Sequence, residues 1–299
     1  MVSCLKQGWG RKILIYVLSL IVLAFVLGPF IWIFLCSLQG EADLFVVPPN
    51  WIPKRVILDN YRYIFTGEIP TAYEVRGLIR SRISQEARYI LPTLVNSFTI
   101  ALFVTLINLC VSSLAAYAFS RFSFKGKTPL YIYIITSRLL PAMAIAVPFY
   151  FIIKSLNLLD TKLAIILIHG VYTIPFSTWF LTLYFNEIPS DMEDAALIDG
   201  CNPLQAFRYI LLPLAIPGLT AIAAFSFVFS YSEFLFPLLI TQTLKSKTMP
   251  VLIASLSNNP DVSYALLSVC VVLAVIPLLV IGFFFRNYVT KGMTISIFK

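Results

Sequence analysis

The sequence predicts an all-α integral membrane protein with six transmembrane helices and one polar two-helix loop. Apolar residues make up 59% of the 299 residues and charged residues only 12%, a composition foreign to ordinary soluble domains. The apolar residues form six runs long enough to cross a bilayer. Between the fourth and fifth runs, residues 190–218 concentrate charges and helix-capping residues in a chain that has few of either elsewhere.

The first predicted span follows Lys6, Arg11 and Lys12 and contains about 24 apolar residues, enough to cross the hydrocarbon core with some tilt. It is longer than the apolar core of a signal peptide, so we interpret it as an uncleaved span. The six predicted spans cover approximately residues 13–36, 91–119, 130–153, 163–185, 219–240 and 264–285.

Basic residues predict the orientation of these spans. They occur at both termini and in the short loop 121–127, and short loops rich in Lys and Arg remain in the cytoplasm. Six spans place both termini and the loop 187–213 on that same side. The loop is itself acidic, but acidic residues contribute little to orientation. We therefore expect the termini and this loop to be cytoplasmic.

The spans also predict three regions. Residues 1–36 form the cytoplasmic N-terminus and the first span, residues 37–90 a long extracytoplasmic segment, and residues 91–299 a five-span core that contains the loop 187–213. The long segment is rich in proline, and its stretch 73–88 is helix-like. We expect residues 59–65 and 73–88 to lie on the membrane surface or to meet an external partner, or else to be a solvated surface helix.

Capping residues predict two short helices within the polar loop. Ser190 and Glu193 have the spacing of a capping box, and Gly200 suits the left-handed residue that ends a helix. Asn202 then restarts a helix, with Pro203 in its first turn and Gln205 at the reciprocal capping position. Pro213 and Pro217 limit how far the second helix can run without a kink.

Several function classes find no support in the sequence. The net charge of +8 fits cytoplasm-facing ends near anionic lipid better than nucleic-acid binding in a chain this apolar. Five dispersed cysteines suggest neither a disulfide framework nor a metal site, and a single histidine leaves little scope for zinc. No HExxH or GxSxG motif indicates an intramembrane enzyme.

Polar side chains within the predicted spans need a reason, because an ionisable group there costs roughly 2.5 to 3.5 kcal/mol on insertion scales. We expect Arg138 and Glu233 to face the bundle interior, where they either line a pathway or serve as structural ion pairs or snorkelling helix-end residues. Tyr172 and Tyr231 could stack on a solute or serve as ordinary packing residues. We expect His169 to be a hydrogen-bonded packing residue rather than a proton relay.

The loop resembles the "EAA" loop of permeases in binding-protein-dependent ATP-binding-cassette (ABC) importers. The matching residues, in order, are Asp194, Ala195, Ala196, Gly200, Ile210, Leu212 and Pro213. Asp194 stands where the family has glutamate. Residues 137–150, 174–189 and 286–294 resemble further stretches of the carbohydrate-uptake branch, especially the maltose-type second permease, whereas the YSEF sequence at 231–234 departs from its common WNEF.

This resemblance implies the type I importer fold, with a cytoplasmic coupling loop, in a bacterial or archaeal cell membrane. It implies a transport subunit that contacts membrane lipid and works with a paired permease, two ATPases and an extracytoplasmic sugar-binding protein. It implies no cofactor or metal bound by this chain, with ATP and magnesium bound by the partner ATPases. Within the loop, Glu193, Asp194 and Asp199 would make polar contacts with an ATPase, and Ala195, Ala196 and Gly200 would allow close packing. Ile210, Leu212 and Pro213 would anchor the second helix to the spans.

Two alternatives remain open from the sequence. An importer of this kind could carry a solute other than a sugar. An ion-coupled secondary transporter with broken helices would account for prolines 141, 148 and 175, but it would leave the polar loop without a purpose.

Overall fold

The computed structural model describes residues 9–67, 88–258 and 263–294, with side chains described through residue 286. Helices account for most of these residues, and no β-strand occurs among them. The all-α class is therefore confirmed for the described ranges. The helix-like stretch 73–88 lies outside them except for its last residue.

Thirteen helices occur in the described ranges. The N-terminal ones are α1 (Trp9–Ser37), α2 (Glu41–Leu44) and α3 (Asp59–Thr66). The others, in chain order, are α4 (Ile90–Arg121), α5 (Lys127–Ser137), α6 (Ala142–Ser155), α7 (Lys162–Glu187), α8 (Asp191–Ile198), α9 (Pro203–Leu214), α10 (Ile216–Ser232), α11 (Leu235–Ile240), α12 (Met249–Ser257) and α13 (Tyr264–Thr294). Helix α9 includes a π-helical turn over Phe207–Leu211.

The described residues contain between four and six candidate spans. Four single helices in the described residues, α1, α4, α7 and α13, are long and apolar enough to cross a membrane. Two bent pairs pass the same test: α5 with α6, bent by 96°, and α9 with α10, bent by 79°. If each pair is one span, the total is the predicted six.

Two of the predicted spans are interrupted. The span expected over 130–153 breaks between Ser137 and Ala142, where Pro141 lacks an N–H group and disfavours helical backbone at the preceding residue. In the span expected over 219–240, α10 ends at Ser232, and α11 starts after an extended Glu233. Each of these two predicted ranges is therefore divided into two helices.

Packing divides the chain into two compact units, one of which contains the described residues up to Arg88 together with Leu256–Leu273. In this unit the buried Asn60 side chain donates hydrogen bonds to the carbonyls of Ser37 and Gln39, just past α1. The Glu41 carboxylate accepts hydrogen bonds from the N–H groups of Tyr264 and Ala265 and so caps the start of α13.

The second unit, Tyr89–Ser255 with the residues from Ala274 onward, is centred on α4, α7 and α10. Asn108 on α4 is fully buried, and its amide donates to Ser177 on α7, at 2.7 Å, and to Ser226 on α10. Small and hydrogen-bonding residues let membrane helices approach closely, so this triad holds the three helices in register.

Gly218, near the start of α10, makes a close contact with α7. A Cβ atom added at Gly218 would lie 2.8 Å from Cγ and Cδ2 of the buried Tyr184 ring. These atoms are near the base of the ring, so the ring could not clear the space without a shift of the helices. The absence of a side chain at Gly218 therefore sets the distance between α10 and α7.

Asp160, in the turn between α6 and α7, binds the turn that follows α11. Its carboxylate accepts hydrogen bonds from the N–H groups of Gln242 and Thr243, both at 3.0 Å, and from the hydroxyls of Thr243 and Ser246. Partial burial acts to raise the pKa of Asp160, but these hydrogen bonds outweigh it and lower that pKa to about 2. The carboxylate therefore fixes this turn in its ionised form.

Replacement of Gly218 by alanine tests the contact with α7. We expect Gly218→Ala to lower the stability by about 1 to 3 kcal/mol, the usual effect of overpacking a tight contact. Thermal unfolding in lipid nanodiscs measures the loss. Gly282→Ala on α13 is the matched control, because no atom lies within 4 Å of its added Cβ. Equal midpoints for the two variants would contradict the assignment.

The hydrogen bonds that the Asp160 carboxylate accepts predict a dependence of stability on pH. Its folded pKa of about 2 lies below the ordinary value near 3.9, so its stabilisation is complete above that ordinary value and is lost as the pH falls toward 2. Asp160→Asn removes the titration, and asparagine tolerates the left-handed backbone of this residue, φ 58°. We expect the melting temperature of the native chain to fall more steeply on acidification than that of the variant. Parallel curves would rule out this role.

Candidate functional site

The polar loop between α7 and α10 folds as two helices separated by a glycine. Gly200 has a φ of 91°, in the left-handed region that favours glycine, and ends α8 as predicted. Asn202 accepts a hydrogen bond from the N–H of Gln205 at 2.9 Å, while the Gln205 side chain accepts from the N–H of Asn202 at 2.8 Å. The second predicted capping box is therefore confirmed, with Pro203 in the first turn of α9.

The first predicted capping box is wrong. Ser190 has helical backbone angles, and its side chain makes no cap hydrogen bond. The Glu193 carboxylate turns away from the cap and pairs with Arg121, with Nε and Oε1 2.7 Å apart. Both side chains are largely buried, and a charge-assisted pair there is stronger than a neutral cap hydrogen bond.

Arg121, the last residue of α4, contacts the loop at a second point. Its Nη2 donates to the carbonyl of Ile188, at 2.8 Å, in the link between α7 and α8. One turn earlier in α4, the Tyr117 hydroxyl donates to the carbonyl of Pro203 at 3.0 Å. The end of α4 therefore contacts the polar loop just before α8 and at the start of α9. These two contacts fix α8 and α9 to α4.

Apolar packing holds α9 on the same surface. Phe207, Leu211 and Ala215 recur every four residues and enter a buried cluster. The other buried members of this cluster are Ala116, Tyr117, Leu181, Tyr184, Phe185 and Ile222. The centroids of the Tyr117 and Phe207 rings lie 4.7 Å apart. Among the predicted anchors, Leu212 packs against the cluster, Ile210 is half-buried and Pro213 is exposed. The missed anchors Phe207 and Leu211 could have been found from their helical spacing.

The outer face of α8 is exposed. Among the residues expected at a partner surface, Asp194, Ala195, Asp199 and Gly200 are exposed, whereas Glu193 and Ala196 are buried. Large apolar side chains that the motif did not indicate share this outer surface. They are Met192, Leu197, Ile198 and Leu204, and Ile198 is 86% exposed. The loop thus presents a mixed acidic and apolar face, with its other face fixed to the spans.

A second cluster forms where the span 130–153 is broken. The Arg138 guanidinium lies over the Tyr172 ring, with Cζ 3.6 Å from its centroid, and the Phe229 ring stacks beside that of Tyr172. Nη1 of Arg138 is buried and has no hydrogen-bond partner among the described residues. Arg138 and Tyr172 line a cavity of about 260 Å³ whose other walls are mainly apolar, including Phe149 and Pro175.

Glu233 lies at the other break and pairs with His169. His169 is fully buried, with Nδ1 2.8 Å from the Ser230 hydroxyl and Nε2 3.1 Å from Oε2 of Glu233. Oε1 of Glu233 also accepts a hydrogen bond from the N–H of Leu235 and so caps α11. His169 is therefore buried and hydrogen-bonded at both ring nitrogens, as a packing residue requires.

Tyr231 does not join this cluster. It is 3% exposed, stacks against Phe227, and donates from its hydroxyl to the carbonyl of Ala274, at 3.0 Å, on α13. The structure therefore brings Arg138 and Tyr172 together. Phe236 contacts both Tyr172 and His169, the partner of Glu233, and so connects Glu233 to them. Tyr231 contacts α13 instead. Within the described ranges, no three metal-ligating side chains lie close enough to hold an ion.

Comparisons with known proteins agree with this architecture. Residues 108–295 match the model of the family described as binding-protein-dependent transport system inner membrane component. The chain is 31% identical to the sulfoquinovosyl glycerol transport system permease protein SmoH of Agrobacterium fabrum, over 97% of this chain and 95% of that protein. It is also 31% identical to the trehalose transport system permease protein SugB of Mycobacterium tuberculosis, over 93% and 94%.

Among solved structures, the chain resembles one from a bacterial ABC transporter involved in the import of the acidic polysaccharide alginate. The TM-score is 0.74 with 19% sequence identity, covering 94% of this chain and 98% of that one. At this identity the likeness concerns the fold alone, which is that of type I importer permeases.

Members of the matched family are membrane subunits that work with a paired permease, ATPases and a substrate-binding protein, and they are not the catalytic subunits. The family model covers more than half of this chain, and its relatives align over nearly their full length. The apolar helices of the described residues fit a multi-pass membrane component. The chain therefore belongs to the family of inner membrane permease components of binding-protein-dependent ABC transport systems.

Proposed function

We propose that this chain, with a paired permease, forms the pathway by which a sugar or oligosaccharide enters the cell after delivery by an extracytoplasmic binding protein. Its relatives named above include permeases for sulfoquinovosyl glycerol and trehalose. ATP hydrolysis on two separate ATPases would drive the transport. The observation that best supports the coupling is the two-helix loop, whose inner side is fixed to α4 while its outer face is exposed.

Within the loop we divide the proposed roles by exposure. Asp194 and Asp199 would contact an ATPase, and Ala195 and Gly200 would let its surface approach closely. Glu193 would act from inside, because its pairing with Arg121 fixes the loop to α4. Ala196 would pack on the inner side of α8. Ile210, Leu212 and Pro213 would support α9 next to the main anchors Phe207 and Leu211.

The proposed orientation follows from the basic residues. Both termini and the loop 187–213 would face the cytoplasm of a bacterial or archaeal cell, and residues 37–90 would lie on the outer side. Residues 91–299 would form the five-span core. This orientation places the acidic and apolar face of α8 where a cytoplasmic ATPase can reach it.

For the solute pathway we propose Arg138 and Tyr172 as contacts and Glu233 as a positioning residue. The free N–H donor of Arg138 suits a hydroxyl oxygen, and an aromatic ring suits the apolar face of a sugar. Glu233 would keep the break between α10 and α11 in place through His169 and the cap of α11. Tyr231 would instead secure α10 against α13.

Separate replacement of Glu193 and Asp194 tests the division between inner and outer roles. Because Glu193 pairs with Arg121 at a largely buried site, we expect Glu193→Gln to lower the melting temperature, with a loss of about 2 kcal/mol. We expect Asp194→Asn to leave the melting temperature unchanged but to reduce co-purification of the ATPase and the ATPase activity stimulated by the binding protein.

A charge swap is the matched control. Arg121→Glu and Glu193→Arg are each expected to reduce coupled ATPase activity about tenfold or more, and the double variant should recover part of it because the pair is restored. The division would be wrong if Glu193→Gln abolished ATPase binding without any change in stability while Asp194→Asn had no effect.

Transport by Arg138 variants tests the pathway. The uptake assay uses the sugar that raises the melting temperature of the matching binding protein when a panel of solutes is tested. If only non-sugar solutes raise that melting temperature, the sugar proposal is wrong. In the reconstituted importer we expect Arg138→Gln to reduce uptake at least tenfold, since one charge-assisted hydrogen bond contributes about 1.5 to 3 kcal/mol. Tyr172→Ala should reduce uptake more than Tyr172→Phe.

Tyr231→Phe serves as the comparison, because it removes a buried hydroxyl away from the cavity. It should lower the melting temperature, by about 1 kcal/mol of stability, without changing the solute concentration at half-maximal uptake. Undiminished uptake in both Arg138→Ala and Glu233→Gln would show that neither residue belongs to the pathway.

A further inference from the structure

The segment of residues 45–58, here named the proline-rich segment, carries a dense set of exposed apolar side chains. They are Phe45, Val46, Val47, Trp51, Ile52, Val56 and Leu58. Their exposed fractions run from 43% at Val46 to 91% at Val47. The segment lies outside the span-forming part of α1, so this exposure is not explained by a transmembrane helix. So many apolar side chains in a short segment indicate a surface that something apolar covers.

The segment is attached to the end of α1 along its length. The Trp51 ring contacts that of Trp32 on α1, with the centroids 5.0 Å apart. Near the end of the segment, the N–H of Ile57 donates to the carbonyl of Leu38 at 2.8 Å. Asn60 follows immediately and bonds to the carbonyls of Ser37 and Gln39. These contacts fix the height of the segment relative to α1.

That height corresponds to the surface of a bilayer. The apolar run of α1 starts at Ile13, directly after Lys12, and Trp32 is its twentieth residue. Twenty helical residues span about 30 Å, which is the thickness of the hydrocarbon core. The apolar run continues to Cys36, so with tilt the boundary of the core falls between Trp32 and Cys36, and Leu38 lies just past it. The contacts of the proline-rich segment with Trp32 and Leu38 therefore place its points of attachment close to this boundary.

The residue types of the segment suit the layer of lipid headgroups. Tryptophan is enriched at membrane interfaces, and Lys54 and Arg55, both exposed, can keep their charges among lipid phosphates while their stems lie along apolar groups. Pro48, Pro49 and Pro53 lack N–H groups, so this irregular stretch leaves fewer backbone donors unsatisfied where water is scarce.

We propose that the proline-rich segment lies in the headgroup layer at the C-terminal end of α1 and anchors the chain to the bilayer lipids. Lipid is favoured as the occupant, because the segment combines the exposed Trp51 with the exposed cations Lys54 and Arg55, the residue types of a membrane interface. Lys54 and Arg55 complement anionic headgroups. The anchor would hold the end of α1 at a set depth independently of the transported solute.

Spin labels in the assembled importer test this placement. Cys4, the exposed Cys110 and the half-buried Cys201 are replaced by alanine, the buried Cys36 and Cys270 are kept, and Val47→Cys is labelled with a nitroxide. In nanodiscs we expect the label to collide more often with oxygen than with a water-soluble nickel chelate. Lys245→Cys, in the polar turn after α11, is the aqueous control and should show the reverse.

Two results would overturn the proposal. Equal access of the nickel chelate at positions 47 and 245 would place the segment in water, and exclusion of both reagents at position 47 would mean that a protein partner covers it. The Ile52 side chain is 76% exposed, so Ile52→Cys allows the same collision measurement if the Val47→Cys variant does not assemble.

The basic pair gives an independent measurement. Lys54→Glu combined with Arg55→Glu should lower the melting temperature by several degrees more in nanodiscs that contain phosphatidylglycerol than in pure phosphatidylcholine. An equal fall in the two lipids would show that these cations do not contact anionic headgroups.

Discussion

Hydrogen bonding of free backbone groups is the constraint on which this structure most depends, because a bilayer core has no water for an N–H group at a helix end. In this chain, side-chain oxygens fill that need where helices stop and restart. Glu233, inside a predicted span, caps α11. Outside the spans, Glu41 caps α13, Asn202 caps α9 and Asp160 accepts from the turn after α11. These residues allow the helices to break and change direction. A straight helix over 219–240 would have no need of the Glu233 cap.

The loop between α7 and α10 depends on contacts of a different kind. Its local caps make two short helices, but Arg121 and the aromatic cluster around Tyr117 and Phe207 fix those helices to α4 and α7. A loop held only by its own hydrogen bonds would absorb a displacement by bending. A loop held by a largely buried ion pair and a packed core moves with the spans, which is the property that a coupling element needs.

Sequence reasoning succeeded where the determinant is local. Gly200 and the Asn202 capping box depend on neighbours within a few residues, and apolar runs reveal spans by length alone. It failed where the partner is distant. Glu193 has a good capping position, yet Arg121, 72 residues away, determines where it points. The break at Glu233 escaped detection because averaged hydropathy hides one polar residue, and because His169 and the cap of α11 become visible only in three dimensions.

Helix α7 connects the two candidate sites. Within one turn, His169 contacts Glu233 at one helix break and Tyr172 contacts Arg138 at the other. Twelve residues further on, about 18 Å along the helix, Tyr184 packs in the cluster that anchors α9. Helix α7 thus touches the loop anchor at one end and both broken spans at the other, so a displacement of the loop could reach the Arg138 cavity through a single helix. Pro175 lies inside α7 between these points and lines the same cavity. Because proline removes a helical hydrogen bond, α7 can bend there most easily, beside the unpaired guanidinium nitrogen. The place where this connecting helix is weakest is therefore also the proposed point of contact with the solute.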